Sequence, residues 1–270
     1  MFICLNVSGL MVISLNMSCH SINLFLSLSL SLIIINHNFY NYNIYLKIIL
    51  ATIRLCADGG SNRLYDAFEN SPEKRNLHLP DEIIGDLDSI RSNVRVFYEA
   101  KGVKVTQVKD QESNDFLKCI ALMEEKEIAL GIKDLDVVAV SAIGGRFDQT
   151  IASINTLFLM NHKSDRKFIL MSDENITILL DKGVHYLQCS EYEGPTCGIM
   201  PIGAPATLTT EGLKWNLDNT LCCFGGMVST SNVITAEYVT IKTDSPVVWT
   251  SEIRPERIEK QLYANTKSYN

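Results

Sequence analysis

Between residues 54 and 180 the chain repeats one pattern: a short apolar run, a polar motif at its end, then apolar residues at helical spacing. That repetition is the strongest constraint on the fold. A strand can pair in parallel with the next one only through a crossover connection, and a helix is the usual crossover. The strand runs are 54–57, 83–84, 103–108, 135–143 and 167–171. Helical spacing follows from Leu64, over 91–101, from Phe116 through Ile120 and Met123, and from Ile151 through Ile154, Leu157 and Phe158. The segment 135–143 is the most apolar and is expected at the centre of the sheet. In such α/β sheets ligands bind beyond the carboxyl ends of the strands.

Four successive strands carry polar residues at that end: Asp58-Gly59-Gly60, Asp86 and Asp88 in GDLDS, Asp110 and Asp115, and Arg146 and Asp148 after Gly144-Gly145. Carboxylates at i and i+2 on extended chain point to one side. Like charges held that close need a positive partner, and a hard divalent cation such as Mg2+ suits oxygen ligands. A lone DxD is more often a plain turn, and Asp115, in a first helical turn, has an ordinary electrostatic role there. Together, however, the motifs suit a metal–polyphosphate ligand. The glycines would expose N–H groups to phosphate, and Arg146 can fork onto phosphate oxygens. No P-loop signature occurs.

The net charge of −7 over 270 residues argues against nucleic-acid binding through a basic surface. Eight cysteines without a CxxC pair, and five histidines without zinc spacing, point to free thiols in a reducing compartment, here the cytoplasm. Residues 1–50 stand apart, with no Asp or Glu and one Lys. The biased run 22–36 lacks the basic start of a secretory signal and is short of the roughly 20 apolar residues of a membrane span. Membrane attachment through 22–36 stays open. Residues 1–40 are expected to be an atypical extension outside the fold. A helix over 41–54 is expected to lead into the first strand.

After residue 180 the character changes to short strands separated by Gly/Pro breakers, as in a small all-β sandwich or barrel. The expected strands are 184–188, 198–201, 206–210, 221–224, 233–243 and 247–250. Two polar-aromatic patches interrupt them, GLKWNL at 212–217 and STSN at 229–232. Trp215 is either ordinary packing or an exposed stacking face for a cationic heteroaromatic ligand. The domain expectation is therefore 41–180, then 181–251, then a tail over 252–270 that is frayed or disordered.

Taken in order, ADGGSNRLYD (57–66), GDLDSI (85–90), DQESNDFLK (110–118), GGRFDQ (144–149), GLKWNL and STSN resemble the eukaryotic thiamine pyrophosphokinase family over about residues 50–251. The resemblance implies a Rossmann-like α/β nucleotide domain followed by a β-sandwich domain. It implies pyrophosphoryl transfer from ATP to thiamine with Mg2+, by a homodimer with sites between subunits. Asp86, Asp88 and Asp115 would serve the metal and phosphates, with Arg146 as a catalytic cation. Asp58, Gly59, Gln111, Asn114 and Asp148 would line the same cleft. Trp215, Asn216, Ser229 and Ser231 would lie near thiamine. Asn114 stands where the family commonly carries Thr, and Asn keeps the capping role. The family's first strand would have to come from residues 1–50; 11–16 and 32–36 are the candidates. The alternative is a non-catalytic thiamine- or nucleotide-binding homologue; another metal-dependent diphosphotransferase is a second.

Overall fold

The computed structural model describes residues 51–110, 112–189 and 193–254 in full, and the backbone of 2–5, 11–17, 20–25 and 30–34. Strands β1 (Phe2–Leu5), β2 (Met11–Met17) and β3 (His20–Phe25) pair antiparallel in that order. The chain divides into two compact units, Leu28–Asp173 and Met1–Ser27 with Glu174–Asn270.

The unit Leu28–Asp173 is α/β; it starts before the expected residue 41 and ends before the expected residue 180. It runs β4 (Leu30–Ile34), β5 (Ile53–Ala57), α1 (Gly60–Ala67), α2 (Pro72–Leu77), β6 (Glu82–Gly85), α3 (Ser92–Ala100) and β7 (Lys104–Gln107). It continues through α4 (Asp115–Leu130), β8 (Asp136–Val140), α5 (Phe147–Met160) and β9 (Phe168–Met171). The strands lie in the order β9-β8-β4-β5-β6-β7, every pair parallel. Strand order therefore switches sides at β4: β5, β6 and β7 follow on one side, β8 and β9 on the other.

Strand β4 lies inside the stretch 1–40 that the sequence analysis sets outside the fold. Its backbone pairs Ser31 with Ile53 on one side and Leu30 with Asp136 on the other. Missing acidic residues distinguish this segment from the rest of the chain, but a parallel strand needs none: a short apolar run suffices. Residues 41–50, expected as helix, lie outside the described residues, and Ile53 and Arg54 belong to β5.

Core packing follows the apolar patterns. Leu55, Cys56, Ile83, Val137, Ala139 and Leu170 are fully buried on the strands, and Phe116, Cys119, Ile120 and Met123 form the inner stripe of α4. Gly131, in the left-handed region at φ 66°, ends α4, its N–H turned back on the Glu127 and Ile128 carbonyls. Buried Glu82 binds α4 to the sheet. It meets Lys126 at 2.8 Å and Lys104 at 2.9 Å, and accepts from Thr106 at 2.5 Å. A second buried pair, Arg166 with Glu127 at 2.8 Å, holds the start of β8, where Glu127 also accepts the Leu135 N–H at 2.8 Å. Strand β8 stops at Val140, short of the expected 143, because Ser141 turns into the left-handed region at φ 57°.

The second unit is all-β after residue 174. It comprises β10 (Asn175–Leu180), β11 (Gly183–Gln188), β12 (Glu193–Met200), β13 (Ala206–Glu211), β14 (Thr220–Cys222), β15 (Ser229–Val233), β16 (Tyr238–Thr243) and β17 (Val247–Ile253). Antiparallel neighbours run β15-β12-β17-β10 and, separately, β11-β16-β13-β14. The expected strand over 233–243 shortens to β16, with Val233 closing β15, and STSN lies within β15. Ser251–Ile253 extends β17, while the tail beyond 254 lies outside the described residues.

Candidate active site

The site grows from the carboxyl ends of β5 and β6. Asp58 follows β5, and its N–H donates to the Ile84 carbonyl at 2.9 Å, which fixes it against β6. Its buried carboxylate accepts the N–H groups of Ser89 at 3.2 Å and Ile90 at 2.9 Å. Asp58 thus holds the loop that carries Asp86. Asn62 fastens the same loop to α1, donating to the Ser89 carbonyl at 2.8 Å and accepting the Arg91 N–H at 3.0 Å.

Oxygens of Asp58, Asp86 and Asp115 lie within 4.8 Å of one another. Gly85 makes room for this: a β-carbon there would stand 3.2 Å from Asp115 Oδ1 and closer still to Asp58. Asp88 does not join the three. Leu87 sits at φ 65°, so the alternation that would aim Asp86 and Asp88 together is broken. Asp88 is exposed and accepts from the Ser89 hydroxyl at 2.7 Å. Asp58, expected only to line the cleft, takes the third place. The signal was its position beside a buried strand end.

Crowding shows in the proton affinities. Burial pushes the Asp58 carboxyl up to about 6; the Asp115 charge and the contact with Asp86 add to it, against the Ser89 and Ile90 N–H groups. Asp115 is raised too, first by burial and then by the charges of Asp86 and Asp88, while Lys118 pulls it down. Three oxygen ligands in this state suit a hard cation such as Mg2+.

Asp86, Asp115, Lys118 and, from α5, Gln149 and Ser153 line a cleft of about 210 Å³. Asn114 caps α4, its Oδ1 accepting the Leu117 N–H at 2.8 Å. Asp110 folds back onto the N–H groups of Glu112 at 2.9 Å and Ser113 at 3.2 Å. Gln111 lies outside the described residues. Gly59 precedes α1 and is the N-cap residue without a side-chain cap. Arg146 and Asp148 are brought together, but with each other: Nε and Nη2 donate to the two carboxylate oxygens at 3.1 and 2.5 Å, with both side chains exposed. The guanidinium holds Asp148 below the usual carboxylate range, and Asp148 raises Arg146.

In the second unit the indole of Trp215 is 55% exposed, and the Lys214 ammonium sits 4.6 Å from its centroid. The ring already accommodates a cation on its face. Asn232, which sequence reasoning passed over within STSN, organises the patch. Buried, it donates to the Trp215 carbonyl at 2.9 Å and to Ser229 Oγ at 3.3 Å, and accepts the Trp215 N–H at 3.2 Å. Asn216 Oδ1 accepts the Leu213 N–H at 3.1 Å, which shapes the turn. Ser229 is buried, whereas Ser231 is exposed at φ 55°.

Comparison with known proteins agrees with both units. Residues 47–170 match the model of the thiamin pyrophosphokinase catalytic domain, and residues 173–248 that of the thiamin pyrophosphokinase vitamin B1 binding domain. The chain is 41% identical to thiamine pyrophosphokinase 3 of Oryza sativa subsp. japonica, over 76% of this chain and 80% of that one. It is 40% identical to thiamine pyrophosphokinase 1 of Arabidopsis thaliana, over 76% of this chain and 79% of that one. Among solved structures, yeast thiamin pyrophosphokinase superposes with a TM-score of 0.76 at 26% identity, covering 84% of this chain and 86% of that one. The Candida albicans enzyme gives 0.72 at 30% identity, covering 83% and 88%. The chain belongs to the thiamin pyrophosphokinase family.

Proposed function

We propose that the chain is an ATP:thiamine diphosphotransferase, producing thiamine diphosphate and AMP. The observation that carries this reading is the convergence of Asp58, Asp86 and Asp115 at the carboxyl edge of the sheet, in a chain whose two units match the catalytic and vitamin-binding domains of one family. The thiamine hydroxyl oxygen attacks the β-phosphorus in line. The bond from that phosphorus to the α,β-bridging oxygen breaks, and AMP leaves with the oxygen. A rim carboxylate, Asp88 or Asp115, takes the hydroxyl proton. Asp86, Asp115 and Asp58, with Asp88 at the lip, would hold Mg2+, which would supply positive charge to the triphosphate. Positioning and charge neutralisation account for the rate. Arg146 exchanges Asp148 for phosphate oxygens, and the Trp215 face takes the cationic thiazolium, with Asn216, Ser229 and Ser231 beside it.

The homodimer with intersubunit sites and the cytoplasmic location belong to the same reading. Among the described residues no helix is long and apolar enough to cross a membrane. The non-catalytic alternative is not favoured, since the acidic cluster and both domains are present. Incubation of the purified chain with ATP, Mg2+ and thiamine tests the proposal. Equal amounts of AMP and thiamine diphosphate are expected; ATP left intact would overturn it.

A further inference from the structure

Lys118 is a charged side chain in an unusual place. It lies in the first turn of α4, near the helix end where a positive charge is disfavoured. Its side chain is 4% exposed, and lysine is seldom buried to that degree without a partner. Neither helix stability nor solvation explains it. The partner is Asp115, whose Oδ1 is 3.1 Å from Nζ. Among the described residues Lys118 is the one cationic side chain that lines the cleft, against the acidic Asp86, Asp110 and Asp115. The other cation expected at this rim, Arg146, is exposed and paired with Asp148.

We infer that Lys118 is a catalytic residue with two successive partners. It neutralises the carboxylate cluster in the metal-free protein, and it turns to the transferred phosphoryl group when metal and ATP are bound. The inference rests on the diphosphotransferase reading above for its second half only. In the free protein the ammonium holds Asp115 beside Asp86 and Asp58 despite their mutual repulsion. With a divalent cation serving the carboxylates, Asp115 no longer needs Lys118. Asp86 is then taken up by the metal and Asp110 by its own bonds to Glu112 and Ser113, so the buried ammonium faces the polyphosphate in the cleft it lines. Lys118 donates a hydrogen bond to a non-bridging oxygen of the β-phosphoryl as its negative charge is redistributed; it forms no covalent bond and transfers no proton.

The two roles give effects of opposite sign, which separates them from a packing role. Lys118→Met removes the competitor of the metal, so Mg2+ should bind the nucleotide-free chain about tenfold more tightly at mildly alkaline pH. The same variant should lose about 10²–10³ in kcat with little change in the thiamine KM. Lys118→Arg should keep the wild-type Mg2+ affinity and recover part of kcat. The measurements are MgCl2 titrated into the EDTA-treated chain by calorimetry, thermal melts with and without MgCl2, and AMP release. Expected is a lower melting temperature for Lys118→Met in EDTA and a larger rise on adding MgCl2 than in wild type. Lys118→Gln, which retains a polar tip beside Asp115, gives the same comparison should the Met variant not fold. Unchanged or weaker Mg2+ binding in a folded variant overturns the counter-ion role, and kcat within threefold of wild type overturns the phosphoryl role. A wild-type chain that releases no AMP sinks the proposed function instead, while the Mg2+ comparison still decides the counter-ion role.

Discussion

A β-carbon placed on Gly85 would stand 2.5 Å from the β-carbon of Asp58, a separation that real structures do not tolerate. The last residue of β6 is therefore glycine because the neighbouring strand end turns a carboxylate across it. Gly85→Ala should force Asp58 outward, break its hold on the Ser89 and Ile90 N–H groups, and scatter the acidic cluster. Overpacking of this kind costs about 1–3 kcal/mol. Thermal melts should show that loss, and AMP release should fall further than Tm alone accounts for. A variant with wild-type Tm and turnover would mean the strand ends can separate at little cost.

Asp86→Asn and Asp88→Asn test the metal site. Asn also favours turns, so a carboxylate needed only for loop shape is replaceable. Loss of an anionic ligand should lower AMP release by about 10²–10³ at Asp86, and less at Asp88, which lies outside the three converging oxygens. Both chains should fold, and Asp86→Asn should melt no lower than wild type in EDTA because repulsion is relieved. Near-normal turnover of Asp86→Asn would remove the metal-site reading.

Trp215→Ala should raise the thiamine KM while leaving the ATP KM nearly unchanged; an aromatic–cation contact is worth about 0.5–2 kcal/mol. Asn232→Ala should do the same through a different cause, because it releases the backbone of Trp215 rather than its ring. Equal thiamine KM values in wild type and Trp215→Ala would return the indole to a packing role.

The pH dependence of stability should carry the mark of Glu82. Burial by itself would raise its pKa, but hydrogen bonds from Lys126, Thr106 and Lys104 outweigh this and hold it below the ordinary 4.5. A carboxyl depressed in the folded state stabilises the fold above its unfolded value, and that contribution is lost as pH falls through the folded one. Glu82→Gln should melt lower than wild type near neutral pH, with the gap closing below about pH 4.5. A gap that stays constant across the acid range would show that the carboxylate charge is not what matters there.

Removal of residues 1–37 should abolish folding of the α/β unit, read by circular dichroism and size exclusion, because it deletes β4 from between β5 and β8. A truncated chain that still melts cooperatively would show that the sheet can close without it.

Much of the first unit was legible because its strands and helices differ in apolar period, and the stripe of Phe116, Ile120 and Met123 is the inner face of α4. The converging acids were legible only as a set of strand-end residues. Which three meet depends on Leu87, whose left-handed backbone no residue type announced. Asn232 was hidden because a buried Asn that bonds backbone reads, in sequence, like any turn residue. Strand β4 was obscured by its surroundings: composition averaged over fifty residues says nothing about five that pair in the middle of a sheet.

The place of β4 also sets the order in which this chain can be assembled. Leu30 lies opposite Asp136, and Ser31 opposite Ile53. One edge of β4 can therefore zip soon after synthesis, while the other stays open until β8 has emerged from the ribosome. Such distant pairings are slow to form and leave an apolar strand edge uncovered in the meantime. During translation, the nascent chain is most in need of a chaperone between the appearance of β5 and that of β8.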